Sequence, residues 1–104
     1  METFSRHARL YTHKMQRGLI IVQNLQSNRS LLVCSEDIAH DITTIRFQLD
    51  LGIYAHPSLQ QEYEQLGLEL YRIEPYRLLD DSQDLESIQR AELQALKEQE
   101  RPLY

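Results

Sequence analysis

Four histidines, one cysteine, six tyrosines and several neighbouring acids are the side chains of this 104-residue chain that could bind a metal, exchange a proton or attack a substrate. A zinc-type centre needs its ligands at short, recurrent spacings. His7, His13, His40 and His56 fall instead on separate segments, and none lies at ligand spacing from Cys34 or a carboxylate, so no metal site is expected. A nucleophilic thiolate needs an electropositive, partly exposed setting. Cys34 follows Leu31-Leu32-Val33 and reads as a buried thiol in a reducing cytoplasm. The three glycines stand alone at the ends of expected elements, which leaves no phosphate-cradling loop. Asp80-Asp81 and the pair Glu62, Glu64 read as solvated charge. Tyr11, Tyr54, Tyr63, Tyr71, Tyr76 and Tyr104 could stack on bases, but most fall on apolar faces and read as packing residues.

The elements that must position these groups centre on Arg17–Cys34. Two short apolar runs, Leu19–Val22 and Leu31–Cys34, flank a polar segment that carries the turn formers Asn24, Ser27 and Asn28. This predicts an antiparallel hairpin. Neither run alternates between apolar and polar, so both of its faces should be covered. Before it, Phe4, Leu10, Tyr11 and Met15 predict a lead-in helix over 3–15. After it, Ser35 is the expected N-cap of a helix whose apolar face is Ile38, Ile42, Ile45 and Leu49, closed by Gly52. Ser58 and Gln61 predict a capping box for a third helix with Leu59, Tyr63 and Leu66 on one face and Gly67 as its left-handed stop. A third strand is expected over Leu68–Glu74, ended by Pro75, and a last helix over about 83–99 with Leu85, Ile88, Ala91, Ala95 and Leu96 inward. Residues 100–104 are expected to be a loose tail. The order is α-β-β-α-α-β-α: an α+β fold with a small three-stranded antiparallel sheet flanked by helices.

The length admits one domain and one modest core. Hydrophobic residues at 41% describe an ordinary globular chain, and no run approaches the length of a membrane span. The segment METFSRHARL has basic residues but no apolar signal core, so no export is expected. The net charge of −5 is unevenly spread. Residues 1–17 carry four basic groups against one acid, whereas residues 58–81 carry six acids against two arginines. Nucleic-acid binders show a broad positive field, and this chain as a whole does not.

Over roughly residues 10–96 the chain resembles the GIY-YIG nuclease family, especially its short bacterial single-domain members. In that family a strand with Gly-Ile-Tyr leads through an Asn-bearing turn to a strand with Tyr-Ile-Gly and a Ser. The matching stretches are Gly18-Leu19-Ile20, Asn24 and Leu32-Val33-Cys34-Ser35. Short members continue with Arg-His-x-Phe-x-Leu, then Gly, His and a Leu-Gln helix ending in Gly. This chain has Arg46-Phe47-Gln48-Leu49, Gly52, His56-Pro57, Leu59-Gln60 and Gly67.

The resemblance implies metal-assisted phosphodiester hydrolysis, in which a hairpin tyrosine helps activate water, an arginine stabilises phosphoryl charge and a glutamate binds the divalent ion. The aligned positions hold Ile20 and Leu32 for the tyrosines, Thr44 for the arginine, with Ile45 where a histidine often follows, and Gln89 for the glutamate. An aliphatic side chain has no proton to exchange, and a neutral amide is a poor magnesium ligand. The expectation is a scaffold without catalytic residues, metal or cofactor that acts as a binding or interaction module. A protein partner is favoured, no membrane is expected, and nucleic acid is reached through Arg6, Arg9, Lys14, Arg17 and Arg46. The alternative is a divergent magnesium- or manganese-dependent endonuclease with Arg46 and Glu86 or Glu92 in relocated roles. A third reading is a purely structural interaction module that shares only the fold.

Overall fold

The computed structural model describes residues 15–104, so the expected lead-in helix, apart from Met15, and the cations Arg6, Arg9 and Lys14 lie outside the described residues. Three antiparallel strands form one sheet in the order β2-β1-β3, with β1 at Arg17–Asn24, β2 at Ser30–Ser35 and β3 at Tyr71–Leu79. The helices are α1 at Ile38–Leu51, α2 at Pro57–Leu66 and α3 at Leu85–Glu98. The expected α+β class and the order of elements after the lead-in are those observed.

The central strand explains why its apolar run does not alternate. Every residue from Gly18 to Asn24 is buried. Ile20 and Val22 pack with Ile38, Ile45 and Leu49 of α1 and with Leu59 and Tyr63 of α2. Leu19 and Ile21 point the other way, into a second cluster with Leu32 and Leu96 of α3. One strand therefore serves two cores, because successive side chains leave it on opposite faces. At Gly18 the neighbouring strand leaves no room for a side chain: a Cβ there would lie 2.0 Å from the Arg77 carbonyl oxygen and 2.9 Å from Ile38 Cδ1.

Several local expectations are corrected. Ser35 does not cap α1. Asp37 does, accepting from the His40 N–H at 3.4 Å, while Ser35 Oγ donates to Asp41 at 2.6 Å. The cap of α2 is His56, with Pro57 at the first helical position, so the helix begins one residue before Ser58. Gly67 takes a positive φ of 85°, but its ψ of 166° is not the left-handed helical stop. Leu68–Leu70 forms a 3-10 turn, and β3 begins after it and runs through Pro75 to Leu79. Proline is tolerated there because β3 is an edge strand with a bulge: Leu19 pairs with Arg77 and Ile20 with Pro75, leaving Tyr76 as the extra residue. In α3, Ala91 is exposed and Leu93 packs inward instead.

Residues 100–104 are not a loose tail. The Ser30 N–H donates to the Pro102 carbonyl at 3.1 Å and the Tyr104 N–H donates to the Ser30 carbonyl at 3.0 Å, making a parallel bridge on the outer edge of β2. Leu103 packs against the α3 cluster and Tyr104 against the α1–α2 cluster, so the tail straddles the sheet edge. The Tyr104 hydroxyl donates to Glu62 Oε1 at 2.9 Å. Partial burial pushes the Glu62 carboxyl up, but hydrogen bonds from Tyr104, Asn24 and Arg29 together hold it below its usual value.

Replacing Gly18 with Ala should lower the unfolding free energy by about 2–3 kcal/mol, since the methyl meets backbone rather than a yielding side chain; urea denaturation measures it. A carboxyl lowered in the folded state stabilises above its unfolded value and loses that contribution as pH falls through the folded one. Hydrogen exchange of the Tyr104 amide, corrected for intrinsic rates, should therefore lose protection as the pH falls below about 4.5, and Glu62→Gln should remove that pH step.

Candidate functional site

The positions that the family resemblance assigns to chemistry are occupied by structural residues. Ile20 is 0% exposed within the α1–α2 core, and Leu32 is 2% exposed within the α3 core. Ile20 pairs across the sheet with Val33, and Leu32 with Ile21. Cross-strand partners share a face, so Ile20 and Leu32 lie on opposite faces. The residue facing Ile20 is Val33, which is equally without a hydroxyl.

On α1, Thr44 is half-buried and its hydroxyl donates back to the His40 carbonyl at 3.1 Å, a bond internal to the helix. Ile45 belongs to the core. Arg46 is exposed and near enough to Tyr63 to favour its ionised form, yet burial and the hydrogen bond to Asp50 push the Tyr63 phenol up to about 12. On α3, Gln89 donates its amide to the Leu32 carbonyl at 2.8 Å and so ties the helix to β2. Glu86 is exposed, and Glu92 is ion-paired with Arg77. Because α1 and α3 pack on opposite faces of the sheet, Arg46 is not brought to Glu86 or Glu92.

Arg17 stands at the end of the sheet where both helix-entry loops meet. Its Nε is 2.9 Å from Glu36 Oε2, and its Nη1 donates to the Asp80 and Gln83 carbonyls at 2.6 and 2.8 Å. The guanidinium, read from sequence as a phosphate contact, thus clasps the β2–α1 loop to the β3–α3 loop. Its bond to Glu36 is the largest cause holding that carboxyl below its ordinary value. Beside it lies an open cleft of about 350 Å³ whose lining includes Met15, Gln16, Leu78, Asp80 and Asp81. No local signal pointed to this clasp, because Arg17 and Gln83 are 66 residues apart.

Cys34 is half-buried and its thiol lies 3.7 Å from the Leu85 carbonyl. Burial, with Glu86 and Asp84 nearby, pushes the thiol up, away from thiolate chemistry. His40 is exposed and His56 caps α2. Among the described residues no three His, Cys, Asp or Glu side chains converge as metal ligands would.

A central strand between two antiparallel edge strands, with two helices on one face and a third on the other, makes an α+β domain. Two solved structures of the catalytic domain of the homing endonuclease I-TevI share it, one of them a point variant. The variant superposes with a TM-score of 0.64 at 15% identity over 81% of this chain and 84% of that one. The other superposes with a TM-score of 0.65 at 16% identity over 79% and 86%. The chain has a GIY-YIG-like fold, and at this identity the likeness is one of fold. No protein-family model and no curated protein matches it.

Placing at these positions the residues that the resemblance implies should therefore damage the fold. Ile20→Tyr should cost about 2–3 kcal/mol by overpacking, and Gln89→Glu about 1–2 kcal/mol by setting a carboxylate against the Leu32 carbonyl. Both are read as a lower urea midpoint with an unchanged m-value.

Proposed function

We propose that this chain is a nuclease-like scaffold that binds rather than cuts, and that its partner is a protein. The observation that carries this reading is the burial of Ile20 and Leu32 in two different cores on opposite faces of the sheet. Water activation needs a proton-exchanging group at a solvent-accessible position, and these two positions serve packing. Supporting it, Gln89 is spent on a backbone carbonyl and Arg17 on an inter-loop clasp. The acidic balance of residues 58–81 disfavours a phosphate backbone along that part of the chain. Nucleic-acid contact, if it contributes, falls to Arg6, Arg9 and Lys14 with the exposed Arg46.

The likeness of fold to an endonuclease catalytic domain supports a second reading, a divergent metal-dependent endonuclease that uses Arg46 with Glu86 or Glu92. It requires those groups to act across the sheet or from different copies.

A plasmid-nicking assay with magnesium or manganese separates the two. No nicking above background is expected, with no metal-dependent amide shifts at Arg46 or Glu86–Glu92. Nicking that Arg46→Ala abolishes would overturn the first reading.

A further inference from the structure

At the end of the sheet remote from Arg17, Tyr104 enters a pocket built by the β1–β2 turn, α2 and the start of β3. The Arg29 guanidinium carbon lies 4.4 Å from its ring centroid, and the His56 ring meets it edge-on at 5.7 Å. The Tyr104 hydroxyl is 2.8 Å from that of Tyr71 and donates to Glu62 Oε1 at 2.9 Å. With its only hydrogen committed to the carboxylate, Tyr104 accepts from Tyr71. At the mouth, the Ser30 N–H and carbonyl hold the backbone on either side of Leu103.

The walls of this pocket stay anchored without the tail. Glu62 also accepts from Asn24 Nδ2 at 3.0 Å and from Arg29 at 2.6 Å. The Asn24 side-chain oxygen accepts from the Gln26 and Ser27 N–H groups at 2.8 and 3.1 Å, which fixes the turn. The Tyr71 ring packs on Tyr63 with centroids 5.3 Å apart. His56 Nδ1 accepts from the Leu59 N–H at 3.2 Å, which sets its ring at the start of α2. The occupant is held at Ser30, by Leu103 in the α3 cluster and by the Glu100 and Arg101 N–H groups, which donate to the Lys97 and Leu96 carbonyls at 3.0 and 2.9 Å; the span between these holds is open. Arg101 and Pro102 are exposed, and Glu100 takes a left-handed φ of 57°, a conformation unfavourable for a residue with a Cβ.

We infer that this pocket is a recognition site for one tyrosine on an extended segment of a protein partner, and that Tyr104 is its resident, displaceable occupant. This rests on the reading of the chain as an interaction module and names what such a module takes. Arg29 stacks on the ring, Glu62 accepts the phenolic proton, and Ser30 supplies one residue of strand edge, a short form of β-augmentation with a side-chain pocket. Phenylalanine would leave the Glu62 oxygen and the Tyr71 hydroxyl short of a partner, so the site selects against it. The tethered tail presents itself at an effective concentration on the order of millimolar. A partner segment enters only by outcompeting that tether, which makes the tail an internal inhibitor of the same site.

The test titrates the hexapeptide Gln-Glu-Arg-Pro-Leu-Tyr, and its analogue ending in Phe, into the unmodified chain and into a Leu103→Ser, Tyr104→Ala double variant, following backbone amide shifts. Saturable shifts at Asn24, Arg29, Ser30 and Tyr71 are expected in the double variant. Binding should be roughly tenfold weaker with the Phe peptide, the worth of one hydrogen bond, and weaker by at least as much with the unmodified chain. A folded double variant without those shifts, equal binding of the two peptides, or equal binding by the unmodified chain overturns the proposal. If the double variant does not fold, Tyr104→Phe, which keeps the ring, takes its place. The tyrosine peptide should then shift the same amides, and their silence overturns the proposal. Plasmid nicking on the same samples keeps the two readings apart: nicking beside peptide binding overturns only the non-cutting reading, whereas silent amides without nicking overturn only the pocket.

Discussion

The constraint on which this structure depends is that β1 has no solvent face. It is the middle strand of three, so its backbone is paired on both edges, and it is covered by α1 and α2 on one side and α3 on the other. A strand in that position is committed to packing along its whole length. Gly18 carries the same constraint to its limit, with the Arg77 carbonyl where a side chain would begin. The positions of Ile20 and Leu32, which the family resemblance assigns to tyrosines, are the keel of two cores. Ile20 with Val33 and Ile21 with Leu32 pair across β1 and β2 as two matched aliphatic pairs.

Polar chemistry is displaced to the two ends of the sheet, where strands turn into loops and backbone groups need partners. At one end Arg17 joins the entries to α1 and α3. At the other, Glu62 gathers Arg29, Asn24 and Tyr104. Both clusters are satisfied: among the described residues no buried side-chain nitrogen or oxygen lacks a hydrogen-bond partner. A buried carboxylate without partners would cost several times what one hydrogen bond returns, so such groups are assembled completely or avoided. The outer edge of β2 is managed in the same way, with Ser30 bridged to the tail and the Leu32 carbonyl taken by Gln89. Edges left open invite pairing with other chains; here one end of that edge is closed by residues 102–104.

Shared architecture does not by itself carry shared chemistry. The backbone superposes on an endonuclease catalytic domain at 15–16% identity, which shows that this sheet and its helices tolerate wholesale replacement of side chains. A fold hosts a function only through the groups grafted on it. The aliphatic hairpin, the amide at position 89 and the engaged Arg17 all serve cohesion, and the apolar side chains left exposed on α1 and just beyond it, Phe47, Leu51 and Ile53, face solvent away from the core.

The hairpin, the three described helices and the α+β class were legible because each is written in a local pattern: two aliphatic runs around Asn24–Asn28, a four-three-four apolar stripe from Ile38 to Leu49, and glycines at helix ends. The same locality explains the errors. Pro75 reads as the end of a strand until a bulge on an edge accommodates it. Ser58 reads as a cap until His56 and Pro57 take the first turn. The tail reads as loose because nothing within five residues of Tyr104 holds it; its partners Ser30, Glu62 and Tyr71 lie 33 or more residues away. The sequence by itself determined which segments are helix and strand, since these follow from side-chain type and short-range spacing. Only the tertiary structure decided that Ile20 and Leu32 face opposite cores, that Arg17 is a clasp, and that Tyr104 sits in a pocket. Those facts depend on strand order and register, which bring together residues that no local pattern relates.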